Sequence, residues 1–265
     1  MKTVVSVDLM RKSDEYTIAT CTDSKTLMYR AGKGVFESSQ WQGRTAIVCG
    51  SGNNAGDGYV LAALLKENGF DCTVFLLKDK FSDDGLYYFE RCRNAGAEWV
   101  YCDESTDFDG YAQIADCIFG TGFKGNVTGL ASDIIDKINA SSAKVISVDI
   151  NSGLNGDSGL GKCVISDLTV SIGYPKTGFY LGNAKDKIKK AVNCDIGIEL
   201  LEEGYTLIEK GDAFDENALG KPIADVEYPE GDLPVESLIA AAVERGCFVR
   251  SRNILTDGER TYIFE

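Results

Sequence analysis

The residues able to do chemistry in this sequence fall in three glycine-rich turns. In GSGNNAGDG (Gly50 to Gly58), Asn53, Asn54 and Asp57 crowd the start of a helix with two amides and one carboxylate. In GTGFKGNVTG (Gly120 to Gly129), glycine backbone N–H groups surround one cation, Lys124. In VDINSGLNGDSG (Val148 to Gly159), Asp149 ends an apolar run beside an asparagine, Ser152 and a glycine turn. Asp116 is odd by its surroundings, because it places a charge inside the apolar run ADCIF. A carboxylate buried there without a partner is costly. Its partner is either a structural salt bridge or a metal or substrate at the strand's end.

Amide oxygens are neutral, hard ligands for a cation, and amide N–H groups can hold a ligand's oxygens. Glycine N–H groups beside a lysine are what a diphosphate asks for. Oxygen ligands thus converge with almost no positive charge, and a bound cation would supply what is missing. Each feature also has a plain structural reading: a tight strand–helix turn, or Asp57 as a helix cap. The absence of histidine excludes Ser-His-Asp and Cys-His sites and His-ligated metal centres. Acid–base work then falls to Asp, Glu, Lys, Tyr or Cys.

The elements that position these turns alternate. Two helices come first, with Ser6 placed to cap VDLMRKSDEYTIA and Ser24 placed to cap KTLMYRAGKGVFES. Strands follow at TAIVC, CTVFLL, AEWVYC, ADCIFG, AKVISVDI, LTVSIG and AVNCDIGI. Helices fall at Gly58 to Asn68, Asp83 to Ala95 and Thr128 to Asn139. This order predicts an α/β fold with right-handed crossovers and a mostly parallel sheet covered on both faces. Ligands of such sheets bind beyond the carboxyl ends of the strands, where the three turns lie. After about Leu201 the composition shifts, with an acidic stretch and three of the four prolines before residue 235. There VESLIAAAVERG reads as a helix and CFVRSRNILTDGERTYIFE as a β-hairpin turning at Asp257 and Gly258. Both have apolar faces that need a surface, on the main domain or on a second subunit.

The formal charge of −14 argues against general affinity for nucleic acid or acidic membranes. No apolar run approaches the length of a membrane span, and no signal-peptide pattern opens the chain. The nine cysteines include no C-x-x-C pair and sit mostly in apolar runs, as structural thiols of a reducing, cytoplasmic compartment would.

Together, GSGNNAGDG, DCIFGTGFKGNVTG, VDINSGLNGDSG and GYPKTGFYLG resemble the YjeF N-terminal family of NAD(P)H-hydrate epimerases, as does the opening LMYRAG. The resemblance spans residues 1–201 and leaves 202–265 as a C-terminal extension of unknown role. It implies a three-layer α/β/α sandwich with a Rossmann-like sheet, here followed by a short α+β extension. It also implies epimerisation of hydrated NADH and NADPH, called NADHX and NADPHX. The implied cofactor is a potassium ion, with Asn54, Asp116 and Ser152 as matching side-chain ligands. The implied substrate contacts are Asn53, Asn54, Ala55, Gly56 and Asp57, then Gly120, Thr121, Gly122, Phe123, Lys124, Gly125 and Asn126, and Asp149.

Asp149 is the candidate acid/base, since it ends a buried strand where desolvation raises a carboxyl pKa. Lys124 is the second catalytic candidate. Asn151 and Ser51 replace prolines usual in the family, which loosens loops without deleting a ligand. The ribokinase-type dehydratase often fused to this family has no counterpart in residues 202–265, so a separate dehydratase is the expected functional partner, and a homodimer a further one. Two other readings make different demands. A nicotinamide-dependent oxidoreductase requires a ribose-binding acid, for which only Asp79 stands near the right place. A non-catalytic binding module of this type would lose the potassium and substrate residues, which this chain keeps.

Overall fold

Runs of β-branched and small apolar residues alternate here with helices, and the central strands they form are buried on both faces, whereas the edge strands at Glu98–Tyr101 and Ala191–Cys194 are largely exposed. The computed structural model describes residues 2–180, 182, 184–202, 204–208, 248–250, 254–256 and 261–263. A short strand β1 (Lys2–Val4), which the sequence reading did not anticipate, precedes helices α1 (Val7–Thr20) and α2 (Ser24–Ser38). The β/α alternation follows: β2 (Thr45–Cys49), α3 (Asn53–Glu67), β3 (Cys72–Leu76), α4 (Asp83–Asn94), β4 (Glu98–Tyr101), β5 (Gln113–Cys117), α5 (Gly129–Ala140) and β6 (Lys144–Val148). Strands β7 (Leu168–Ile172) and β8 (Ala191–Cys194) complete a seven-stranded sheet of order β4-β3-β2-β5-β6-β7-β8. All its pairings are parallel.

The pleat sorts side chains into two cores. Ile47, Cys49, Val74, Leu76, Ala115, Cys117, Ile146 and Val148 pack with α2, α3 and α4. Ala46, Val48, Phe75, Ile114 and Val145 pack with Ile134, Ile135 and Ile138 of α5. The result is the three-layer sandwich expected. Helix α3 lies close on the sheet because Gly58 allows it: a Cβ there would come within 2.8 Å of Cys117 Sγ and 3.0 Å of Cys49 Sγ. The eight described cysteines are free, and most are buried, which agrees with structural thiols. Among the described residues no helix is long and apolar enough to cross a membrane.

Several expectations needed correction. Ser6 caps α1 as predicted, its Oγ accepting from Leu9 N at 3.2 Å. The cap of α2 is Asp23 rather than Ser24, because its carboxylate takes both the N–H and the hydroxyl of Thr26. Helix α3 starts at Asn53, five positions before the predicted Gly58. Asparagine and glycine have low intrinsic helix propensity, yet the first turn tolerates them because its N–H groups lack intrahelical partners anyway. Asp57 therefore sits inside the helix and is not its cap. Strand β5 ends at Cys117, so Ile118 to Gly120 belong to the following loop.

Beyond Leu201, β9 (Tyr205–Ile208) pairs antiparallel with β1, and β10 (Phe248–Arg250), β11 (Ile254–Thr256) and β12 (Thr261–Ile263) extend that sheet. The extension is thus joined to the N-terminus through the main chain. The helix read in VESLIAAAVERG and the turn at Asp257 and Gly258 lie outside the described residues.

Candidate active site

Strand order reverses direction between β2 and β5: the chain moves outward to β3 and β4 from one, and to β6 to β8 from the other. Such a switch point leaves a crevice at the strands' carboxyl ends. A cavity of about 550 Å³ opens there, a size suited to a small molecule. It is lined by Ser51 to Asn54 and Asp57 after β2, Ile118 to Phe123 after β5, and Asp149 after β6. Met10, Asp14 and Met28 close it from α1 and α2, and Lys176 lies in its wall. Phe119 and Phe123 stack with ring centroids 4.3 Å apart, giving one side an aromatic surface.

Asp149 faces this cavity with its side chain 14% exposed. It is the only non-glycine with positive φ among the described residues, at 66°. A left-handed backbone costs a non-glycine residue about 1–3 kcal/mol and persists where surrounding contacts fix it. Here the contacts are explicit. Asp149 N donates to Val170 O at 2.8 Å. Oδ2 accepts from Thr121 N at 2.9 Å, and Oδ1 accepts from Lys176 Nζ at 2.5 Å. Lys176 is 1% exposed and also donates to Ile172 O at 2.8 Å. Asp149, expected as a carboxyl desolvated at the end of a buried strand, is paired here with a buried ammonium. The signal was present in GYPKTG, a lysine within a glycine-flanked apolar turn, but its partner is distant in sequence.

Two further carboxyls line the cavity. Burial pushes the Asp57 carboxyl well above the ordinary range, Asp149 and Asp14 push it further, and Lys176 opposes them. Asp14, which the sequence reading did not single out, is raised by burial and then by Asp149. Its position on α1, at the back of the expected loops, gave no local sign.

Beneath the cavity, register sets Asp116 between Val48 of β2 and Ser147 of β6. Asp116 is fully buried. Its Oδ2 accepts from Ser147 Oγ at 2.8 Å and Ser152 N at 2.9 Å, all neutral partners. Burial raises its pKa despite those bonds. Ser152 Oγ accepts from Phe119 N at 2.8 Å and donates to Phe119 O at 3.2 Å. Asn54 is 7% exposed, and both of its side-chain polar atoms are buried with no hydrogen-bond partner. It packs on the residue after Phe119: a Cβ on Gly120 would come within 3.3 Å of Asn54 Cβ and 2.9 Å of Asp149 Oδ2. Asn54, Gly120, Phe119, Ser152 and Asp116 therefore form one contiguous chain of contacts.

The remaining predicted residues divide. Asn53, Thr121, Gly122 and Phe123 line the cavity. Ala55 is packed in the core, and Gly56 gives room to Met28. Lys124, Gly125 and Asn126 are exposed and are not among the lining residues. Asn151 does not loosen its loop. Its amide donates to Val164 O, Ser166 Oγ and Lys187 O and accepts from Thr169 Oγ1, so it ties three segments together.

A parallel α/β sandwich with its cavity at the switch point defines a Rossmann-like, ligand-holding class. Within it, the chain belongs to the YjeF-related N-terminal family, whose pattern its residues 24–178 match. An NAD(P)H-hydrate epimerase of Lentilactobacillus buchneri is 35% identical over 208 residues, covering 75% of this chain and 96% of that protein. A bifunctional NAD(P)H-hydrate repair enzyme Nnr of Thermofilum pendens is 40% identical over 143 residues, covering 50% of this chain and 27% of that protein. The crystal structure of yeast ynu0 shares the fold, with a TM-score of 0.60 and 22% identity over 72% of this chain and 86% of that one.

Proposed function

We propose that this protein is an NAD(P)H-hydrate epimerase, an isomerase that interconverts the R and S forms of NADHX and NADPHX in nicotinamide nucleotide repair. The observation that carries the reading is Asp149, held by two donors at the cavity wall in a chain whose relatives bear that name. In the hydrate, a hydroxyl on C6 neighbours the ring nitrogen, forming a hemiaminal. Asp149 is the acid/base. In its protonated form the carboxyl gives a proton to the hydroxyl, which departs as water while the nitrogen lone pair forms a planar iminium. The carboxylate left behind is held by Lys176 Nζ and Thr121 N. Water then adds to either face and returns a proton to the carboxylate. No histidine and no added nicotinamide is required.

Substrate contacts fall on the cavity-lining Asn53, Asn54, Asp57, Gly120, Thr121, Gly122, Phe123 and Asp149. Helix α3 has no side-chain cap at Gly52, which leaves N–H groups of its first turn for phosphate oxygens. Lys124, exposed within the turn after β5, is the phosphate-orienting cation.

The residues present fit a potassium ion. The amide oxygen of Asn54 lacks a partner, and Asp116 is a buried carboxylate with only neutral donors. These two, with Ser152, would hold it, and a hard monovalent cation there would neutralise Asp116 beside the anionic substrate. A cytoplasmic location and a separate dehydratase as functional partner complete the reading, and relatives named bifunctional NAD(P)H-hydrate repair enzyme support a place in hydrate repair.

The test supplies the R hydrate of NADH with a separate S-specific dehydratase and follows its consumption. Consumption accelerated by this protein is the expected result in that coupled assay, and the protein alone should interconvert the R and S hydrates without ATP. An isomer ratio that relaxes no faster than in buffer overturns the reading and favours a non-catalytic binding module.

A further inference from the structure

The motif GYPKTG is not absorbed by the function above, yet it places a charge in the cavity wall. Lys176 is among the largest fully buried side chains of the protein. Burying an ammonium is expensive even when it is paired, so its retention beside a cavity asks for a reason. Its main chain is held on both sides: Val5 N donates to Pro175 O at 2.9 Å, and Thr177 N donates to Val5 O at 3.0 Å. Its side chain is held at the other end by Ile172 O and Asp149 Oδ1. With so many constraints its ammonium is a fixed point, not a swinging charge.

We propose that Lys176 is the positioning residue of this site: it fixes the direction in which the Asp149 carboxylate faces the cavity. The proposal rests on the reading of Asp149 as the acid/base. The geometry supports it in three ways. Lys176 and Thr121 N each occupy one oxygen of Asp149, so rotation about the side chain breaks a bond at either end. The lone pairs left on both oxygens are then available to substrate in one orientation only. Asp149 also has a strained backbone, at φ 66°, which aims its side chain away from an ordinary strand continuation. A salt bridge serving stability alone would have no need of the cavity wall, where Lys176 and Asp149 both lie.

The experiment compares the wild type, Lys176→Met, Asp149→Asn and the double variant Asp149→Asn with Lys176→Met. In the epimerase assay, Lys176→Met should lower kcat by about 10²-fold, the scale of a small misplacement of a catalytic group. KM should stay within about threefold, since the loss falls on the transition state. The double variant should be no slower than Asp149→Asn alone, because Lys176 acts only through the carboxylate it orients. Should Lys176→Met fail to fold, the double variant removes both charges of the pair and leaves that last comparison intact. A further large loss in the double variant overturns the proposal, as does a raised KM at unchanged kcat. A crystal structure of Lys176→Met supplies a readout that does not depend on turnover. Asp149 turned away from Thr121 N is expected, and an unmoved carboxylate overturns the positioning role even where the epimerase reading stands.

Discussion

Asp116 and Asp149 are the same residue type at the carboxyl ends of neighbouring strands, and their surroundings divide them. Asp116 lies within β5, fully buried, with donors from Ser147 and Ser152 that carry no charge. Asp149 follows β6, partly exposed to the cavity, with a lysine on one oxygen. The first is a charge that neutral hydrogen bonds do not balance, beside an asparagine whose amide has no partner. The second is balanced by a side chain of the protein itself. A carboxylate without an internal counter-charge is poised for a diffusible cation, whereas one fixed by an internal ammonium is poised for directed chemistry. The counter-charge that separates them is brought in by the turn after β7, which carries Lys176.

The largest effect that would break this contrast is on turnover. Asp149→Asn keeps shape and hydrogen-bonding capacity but removes the titratable proton. Epimerisation measured with a coupled dehydratase should fall by ~10²–10⁴-fold, the usual worth of an acid/base group, with a much smaller change in hydrate affinity. Nearly full turnover in this variant would move the proton transfer to another group.

The next effect is on the cation side. Wild-type melting temperature should rise with added potassium, since a ligand bound only by the folded state stabilises it by about 2.7 kcal/mol at a hundredfold excess over Kd. Asp116→Ala should melt at a temperature independent of potassium. A potassium response retained in Asp116→Ala would separate this residue from ion binding.

Asp57 sharpens the comparison through pH. Its carboxyl is pushed well above the ordinary range of an aspartate, by burial first and by Asp149 and Asp14 next. The folded state therefore holds a proton that the unfolded state releases from about pH 4 upward, and stability falls as pH rises through that window. Asp57→Asn removes this penalty. Thermal melts should show the variant more stable than wild type at pH 8, by roughly 2–4 °C per kcal/mol recovered, with the gain vanishing towards pH 4. An equal gain at both pH values would mean that the effect is not ionisation.

The smallest effect belongs to Lys124. Exposed and outside the cavity lining, it should contribute binding rather than chemistry. Lys124→Met should raise KM severalfold, within the range of about 0–1 kcal/mol usual for a solvent-screened charge pair, and leave kcat nearly unchanged. Loss of turnover at saturating hydrate would instead return Lys124 to the catalytic role.

The sequence by itself determined the layer architecture, because periodic apolar runs of strand and helix length admit few packings other than a parallel sheet covered on both faces. It also marked Asn54, Asp57, Asp116, Asp149 and Ser152, since polar residues beside glycines at strand ends are locally anomalous. It misplaced the start of α3, where local propensity points to loop but the packing of Gly58 on Cys49 and Cys117 brings the helix down to Asn53. It gave no pairing for Lys176, whose partner stands 27 positions away and is reached only when the turn after β7 folds back past β6. Nor did it show that Asn151, standing in a proline's place, would gather four hydrogen bonds from three segments. Residue type and local pattern say which groups can carry charge or protons. Whether such a group is paired, orphaned or aimed at a cavity depends on contacts between distant segments, and those are made by the tertiary fold alone.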